Sequence, residues 1–550
     1  MAGTGRARAE PSERSVKSPP PARVRCRGRR RLYGSQMLFD TSSNGTTVDV
    51  WAFNDGRGNI IGEYLNDELV TVVGGTVQPG PDGRYGAGTV RIGHNTGAST
   101  ESAFSEIIAL VPELWSASHR GDGIVSGYLT KKSVKSEDFL KIYPQGDNVT
   151  LSLVGEWGVC FDPRDPAQDP TNRSTWLYTE NAVLHLLDHF MSDRGFSYAD
   201  RIAPVEQYWI DAANVCDEAS PLAAGGTEPR YRACVAYDFT KAPADVVSEL
   251  LSCFDGWTGQ DENGCQIVYA GKLYEPAVSM GPDQIVGYSH QEFVEEEDRI
   301  NELVVQYVSS QHDYNAVEGQ SWRDEDDISA RGKVNSDGLS LQVPSFPQAR
   351  RLAKRSMAKR CAPHRGTIVT TVEGRAILGH RYIDLEITEA GATFYSGVAE
   401  IVSAERDYDT GGVSFAWLAV DANVDAWNAA TEEGEPAPES GRVAQEPLDA
   451  PTISTAEPQF EAEDTVARAL LDISGPDRDD LTWFARWRLD GDVSWNEATY
   501  ADLDPGTPVS VLTGLLPINA TVEIQAAYQV GDGRKSPWSA TEEVDTTPPA

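Results

Sequence analysis

The sequence predicts a mainly β, multidomain protein with an α+β unit in its first half. Short runs of β-branched and aromatic residues recur between Gly, Asn, Asp and Pro turns, and two amphipathic helical stretches sit among them. The length of 550 residues implies about three to five domains at roughly 100–200 residues each. Hydrophobic residues make up 40 % of the chain and aromatics 9 %, so sizeable cores can be buried and low hydrophobicity does not force disorder. With 49 Gly and 32 Pro, the composition suits turn-rich β structure.

Charge is spread unevenly. The chain has 47 basic and 84 acidic side chains and a net charge of −37, yet residues 1–33 hold nine Arg and one Lys against two Glu. Residues 1–36 (Arg6, Arg8, Arg14, Arg23, Arg25, Arg27, Arg29, Arg30 and Arg31, with Pro19 to Pro21) are almost without apolar content, which predicts a disordered basic leader. This stretch lacks the apolar run of a signal peptide. It reads either as a basic arm for nucleic acid or lipid, or as an upstream-start artefact with Met37 as the true start.

Residues 37–160 are expected to form a β-rich domain. Thr47, Val48, Val50 and Trp51 mark a strand over 46–55, and Leu69 to Val73 another over 67–76. Pro79-Gly80-Pro81-Asp82-Gly83 reads as a loop. Ser102 to Leu114 has helical spacing until Pro112, and Phe139 to Val154 reads as strand. Residues 161–285 form the α+β unit. Its clearest helix covers 179–195, capped by Thr179 and ended by Gly195, with Ala182, Val183, Leu186, Leu187, Phe190 and Met191 as the apolar face. A second helix runs from Ala242 to Phe254, with Pro243 in its first turn.

Residues 286–430 return to strands, interrupted by a helix over Phe346 to Cys361. That helix carries Arg350, Arg351, Lys354, Arg355, Lys359 and Arg360 and is expected to dock on a β domain. Residues 431–449, rich in Glu, Pro, Gly and Ala, read as an acidic linker. Residues 450–550 are all-β: Ala467 to Ile473 alternates, Trp483 and Trp487 share one face, and Val522 to Tyr528 follows a turn at Leu516 to Asn519.

Few residues point to chemistry. Gly-x-Ser-x-Gly, the phosphate-binding P-loop and Gly-x-Gly-x-x-Gly are all absent, and Gly86-Ala87-Gly88 reads as a turn. The seven cysteines (Cys26, Cys160, Cys216, Cys234, Cys253, Cys265, Cys361) contain no Cys-x-x-Cys, which argues for isolated buried thiols, with Cys216–Cys234 as the one candidate bridge. His185 and His189 have the i, i+4 spacing of metal ligands but lie on the polar flank of their helix, so two solvated histidines are expected. The runs Glu295 to Asp298 and Asp324 to Asp327 read as solvated loops rather than paired catalytic carboxylates. Asp162, Asp165 and Asp169 lack a calcium-loop spacing. The basic helix at 350–360 can contact phosphate, but in so acidic a body it is expected to pair with acidic neighbours in its own chain or an adjacent subunit. No catalytic, cofactor-binding or metal site is assigned, and no enzyme activity is expected.

Several blocks spell a more specific pattern. Val159-Cys160-Phe161-Asp162-Pro163-Arg164-Asp165 and Trp176-Leu177-Tyr178-Thr179-Glu180-Asn181-Ala182 resemble the Asp-Pro-Arg-Asp and Tyr-Ser/Thr-x-Asn-Pro-Ala blocks of the tail tip attachment protein J family of long-tailed bacteriophages, although Asn181-Ala182 lacks the Pro. Cys216-Asp217-Glu218, Pro229-Arg230-Tyr231-Arg232-Ala233-Cys234, Ala242-Pro243-Ala244-Asp245-Val246, Ile300-Asn301-Glu302-Leu303-Val304 and Gln348-Ala349-Arg350-Arg351-Leu352-Ala353 follow in the family's order. The last hundred residues resemble a fibronectin type III module through Trp483, Gly514-Leu515-Leu516-Pro517 and Ser536-Pro537-Trp538-Ser539, with Thr521 or Val522 where the corner tyrosine would stand.

The resemblance implies a structural virion protein, the trimeric central hub at the tip of a non-contractile tail, with β-barrel-like hub domains closing the tube. It implies partners in the tail tube or distal tail protein, other tail tip proteins and fibres, and a host receptor reached through another chain. Phage DNA would pass without sequence-specific binding, through a lumen whose acidic lining repels phosphate. The basic helices would be buried against acidic neighbours across the threefold. A secreted modular glycan-acting hydrolase, or an adhesin with a fibronectin type III module, is the alternative.

Overall fold

The computed structural model describes residues 22–549, apart from 81–83, 87, 144, 145, 147, 297, 408–410, 440–447, 462–464, 502, 504–507 and 532–534. Mainly β and multidomain, the chain divides into two compact units, Met1–Ser440 and Gly441–Ala550.

The first unit begins with two sheets packed face to face. Strand β1 (Val24–Tyr33) lies inside a five-stranded antiparallel sheet, between β2 (Leu151–Trp157) and β3 (Val235–Asp238), with Gly58–Leu65 and Glu68–Val70 beyond β2. A six-stranded sheet (Ser35–Thr41, Thr47–Asp55, Ile124–Lys131, Val90–Thr96, Thr76–Val77, Val72–Val73) faces it, so that Trp51, Phe53, Val125 and Leu129 meet Leu32, Leu65, Leu153 and Trp157. The helix Ser105–Leu110 covers the other face of the second sheet through Ile107, flanked by Phe104 and Val111. The strand expected over 67–76 is broken into short pieces at the Gly74-Gly75 turn. Phe139 lies on a helix, Ser136–Ile142, rather than a strand, and extended structure resumes at Leu151.

The disordered-leader expectation fails where it can be checked; residues 1–21 lie outside the described residues. Composition missed β1 because its arginines find acceptors from distant segments instead of water. Arg25 pairs with Asp55 and Asp193, Arg27 with Asp188 and Asp193, and Arg29 with Glu156 and Glu180. Arg31 donates to Ser152 Oγ at 2.8 Å and Asp67 Oδ1 at 2.9 Å. Gly28, at φ +88°, sits so close to the neighbouring backbone that a Cβ would lie 1.9 Å from Ala233 O. Strand β1 is therefore an internal strand of the first unit, and a chain starting at Met37 would lack it.

The second layer is built from helices α1 (Ala182–Asp188), α2 (Glu206–Asp217), α3 (Pro243–Ser252) and α4 (Phe346–Arg360). All seven residues of α1 are buried, and Asn181, not Thr179, caps it by accepting from the N–H groups of Val183 and Leu184. A four-stranded sheet around Glu302–Ser309 packs on α4, and one continuous core runs from Cys160 to Met357. The boundary expected at 285/286 is therefore not a core boundary: the segment containing Leu303, Val305 and α4 shares the interior of the α+β unit.

A separate core lies under six strands ordered Ser279–Met280, Tyr382–Glu389, Ala392–Arg406, Val413–Ala419, Arg365–Thr370 and Ile285–Gln291. The two edge strands follow one another in sequence. Laid flat, they would stand about 24 Å apart, at roughly 4.8 Å per strand, while the residues joining them can bridge no more than about 17 Å. The sheet must roll, which gives the barrel-like form. Past it, the first part of the expected linker is anchored: Glu432 pairs with Lys354, and Glu433 accepts from the Ala223 N–H. Residues 440–447 of the linker lie outside the described residues.

The second unit is a seven-stranded sandwich. Thr452–Glu461, Val466–Ser474 and Val509–Leu512 face Asn496–Tyr500, Thr482–Leu489, Thr521–Gln529 and Glu542–Asp545. Trp483, Trp487, Leu471, Ile524 and Tyr528 fill its core. Along its four-stranded sheet, the Arg486 guanidinium lies 4.5 Å from the Trp495 ring and 4.2 Å from the Trp538 ring, a cation–π ladder extended by Lys535 over Phe484.

Two outcomes are expected. Deleting residues 1–36 removes an internal strand, so the first unit loses its cooperative unfolding transition in calorimetry. Arg27→Ala strands the buried carboxylates and costs about 3–5 kcal/mol in denaturant unfolding.

Candidate functional site

The polar interior of the first unit gathers most of the residues singled out in the sequence, arranged in two clusters.

The first cluster surrounds Arg27. Helix α1 passes at His189 into a π-helical turn, His189–Asp193, whose wider backbone brings Asp188, His189 and Asp193 toward β1. Arg27, 1 % exposed, bonds to Asp188, to Asp193 Oδ2 at 3.0 Å and to the Tyr237 hydroxyl at 3.2 Å. Tyr237 donates to Asp193 at 2.5 Å, Ser192 to Asp188 at 2.6 Å, and His189 Nδ1 lies 2.9 Å from Asp193. The cations Arg27 and Arg173 hold the Asp188 carboxyl down at about 2 against the upward push of its burial.

His185 and His189 are buried, not solvated. The expected polar flank faces an ion-paired interior instead of water. His185 Nδ1 lies 3.2 Å from the Cys160 thiol, and among the described residues no three His, Cys, Asp or Glu side chains are grouped so as to hold a metal ion. Burial, with the nearby Arg27, lowers both histidines to about 3. Burial also pushes the Cys160 thiol far above its ordinary range, so this Cys–His contact holds no reactive thiolate. All seven cysteines are free, and the Cys216–Cys234 bridge is not formed.

The second cluster is centred on α4. Its basic residues are used within the chain, so the expected pairing holds for the intrachain case. Arg355 and Lys359 reach Asp255 at 2.7 Å each, Arg351 meets Glu228, Lys354 meets Glu432, and Arg350 donates to the carbonyls of Gln320, Ser321 and Glu432. Arg381, fully buried, joins Asp255 to Glu400. These pairs hold most of the basic side chains of α4 against acceptors of its own chain.

The remaining candidates are structural. Asp162, Asp165 and Asp169 each accept from a backbone N–H two residues ahead, and Asp162 also holds the Arg164 guanidinium. Asp324-Glu325-Asp326-Asp327 is the start of a helix, Glu325–Arg331, rather than a solvated loop. Asp324 caps it, and Asp327 is buried between Asn301, Arg299 and Arg331. Glu297 and Ala87, from two of the motifs singled out above, lie outside the described residues.

The blocks quoted for the phage-tail resemblance meet in space. Gln348 donates to Arg232 O and Cys253 O and accepts from the Arg232 N–H. Asn181 donates to Ala213 O, and Arg232 pairs with Glu180 and Glu228. Asn301, 0 % exposed, bonds to Asp327, Lys333 O and the Asn335 N–H. Arg232 and Gln348 link three of the blocks directly, Asn301 is held by residues outside them, and all the blocks contribute to one apolar core.

Sequence reading missed Arg27 and the Asp188–Asp193 pair. The available signal was the period of two at Arg25, Arg27, Arg29 and Arg31, which marks a strand once arginine is allowed to replace an apolar residue.

No protein-family model matches the chain, and no curated protein matches it. Among solved structures, a chain of the "Virion of native gene transfer agent (GTA) particle" superposes with a TM-score of 0.49 at 14 % identity, over 80 % of this chain and 91 % of that one. A chain of a "Cytokine receptor complex" superposes with a TM-score of 0.16 at 11 % identity, over 34 % of this chain and 93 % of that one. At these scores neither match assigns a function.

The buried histidines set an acid limit on stability. Their folded pKa values lie below 6.5, so the unfolded chain binds more protons from about pH 6.5 down to about 3, and stability falls as pH falls through that window. Each contributes a slope of up to about 1.4 kcal/mol per pH unit. In urea melts, His185→Gln should flatten the limb between pH 6 and 4 relative to wild type, and an unchanged limb would refute the assignment.

Proposed function

We propose that this chain is a structural virion protein, the central hub at the tip of a long non-contractile phage tail, and that it assembles as a homotrimer. The observation that carries the reading is that seven sequence blocks, quoted in order from Val159 to Ala353, converge on the single scaffold around α1, α2 and α4. Within these blocks Gln348, Asn181 and Asn301 spend their amide groups on protein partners in the interior, which suits a structural body. The rolled six-stranded sheet supports a tube-closing role.

The seven-stranded sandwich supports reading the last unit as a fibronectin type III module. Its three-plus-four strand arrangement and the placement of Trp483 in its core suit that architecture. The acidic excess is available to line a passage that DNA crosses without sticking. Partners on this reading are the tail tube or distal tail protein and other tail tip proteins, with no enzymatic role for the chain.

Light scattering of the purified chain mixed with tail tube protein tests the proposal. A trimer that joins the tube protein, together with peptides of this chain in purified tails by mass spectrometry, is the expected result. A monomer that turns over a glycan panel would refute it in favour of a modular hydrolase.

A further inference from the structure

A cavity of about 230 Å³ opens beside α4, between the Ala219–Pro221 strand and the turn at 424–427. Arg230, Arg351, Lys354 and Arg355 line it, against one carboxylate, Asp425. In a chain of net charge −37, this concentration of cations is a local inversion.

Lys354 has a carboxylate of its own, Glu432, but the acids behind the three arginines are shared among several cations. Asp425 is shared by Arg230 and Arg355. Glu228, on Arg351, also holds Arg232; Asp255, on Arg355, also holds Lys359 and Arg381; Glu218, on Arg230, also holds Lys272. Donor capacity is left over as well. Arg351 Nε and Nη1, Arg230 Nε and Trp427 Nε1 have no hydrogen-bond partner, although Arg351 is only 7 % exposed and its guanidinium lies 5.8 Å from the Trp427 ring. Buried donors without acceptors are rare and costly, and burial here works against the Arg351 charge.

We propose that this cavity is an oxyanion-binding site, taking a carboxylate or phosphate group between Arg351, Lys354, Arg230 and the Trp427 indole. Guanidinium forks suit the paired oxygens of such groups, and the ion pairs behind them fix the forks in place. The volume is roughly eight times the ~30 Å³ share of a water molecule, room for a small free anion or for one acidic side chain. The anion comes either from solution or from the Asp or Glu side chain of a partner protein. This inference stands independently of the hub reading.

Calorimetric titration of the full chain at low ionic strength tests it, with inorganic phosphate, succinate and a decaglutamate peptide as probes. Saturable binding of at least one probe is expected. Lys354→Gln, which removes a charge at the rim, should weaken it about tenfold, the loss of one charge-assisted bond. Trp427→Phe, which keeps the ring and removes the N–H, should weaken it by a smaller factor, while Lys535→Gln in the other unit should leave it unchanged. Phosphate or succinate binding with the peptide excluded assigns a free anion. A peptide that displaces phosphate and binds tighter assigns a partner's carboxylate. No saturable binding, or binding insensitive to both cavity variants in chains whose melting temperatures match wild type, overturns the proposal.

Discussion

The first unit depends on the pairing of Arg27 with Asp188 and Asp193. Two carboxylates sit in the interior where α1 meets its π-helical turn, and neither is tolerable there without a cation. That cation comes from a strand more than 150 residues away in sequence, and the same strand continues as an inner member of the first sheet, between β2 and β3. One side chain therefore ties the double-sheet layer to the helical layer. Replacing the whole set by apolar residues of matching shape could be neutral for stability, but losing one member is not. Such a network contributes most to uniqueness: β1 has one register that seats Arg27, fixed further by the close approach at Gly28.

The same economy explains the charge of the molecule. Cations are withdrawn into the interior, where Arg27, Arg31, Arg350, Arg351, Arg355 and Arg381 are all buried; Arg27 and Arg381 have buried carboxylates as partners, Arg31 reaches the exposed Asp67, and Arg350 is held by carbonyls. The exposed surface is left with an acidic excess that composition records as a single number. The cation-rich cavity beside α4 is the exception to that partition.

Most regular elements were legible because their signals are local. The helices opened by Pro243 and by Phe346-Pro347 and the alternating strands of the last unit follow from periodicity and turn residues. What was not legible depends on pairing at long range. Arg25 to Arg31 look like a solvated arm until Glu156, Asp188 and Asp193 are brought alongside. His185 and His189 fall on what periodicity marks as a polar flank, yet α1 is buried on every side. The core boundary near residue 285 was misplaced because α4 and the strand Glu302–Ser309 pack backward onto the α+β unit, and no composition shift marks that return.

The order in which ribosomes deliver the chain gives the arginines of β1 a second consequence. That strand emerges well before its partners: β2 follows more than a hundred residues later, β3 about two hundred, and Gln342, which Arg30 also reaches, later still. Throughout that interval the segment must stay unpaired without sticking to its copies on neighbouring ribosomes. A run of like charges repels its own kind and is a poor seed for intermolecular sheets, as gatekeeper residues are. The residues that lock the finished interior would thus also keep the waiting strand soluble, because Arg25, Arg27, Arg29 and Arg31 stay in water until folding brings their carboxylates.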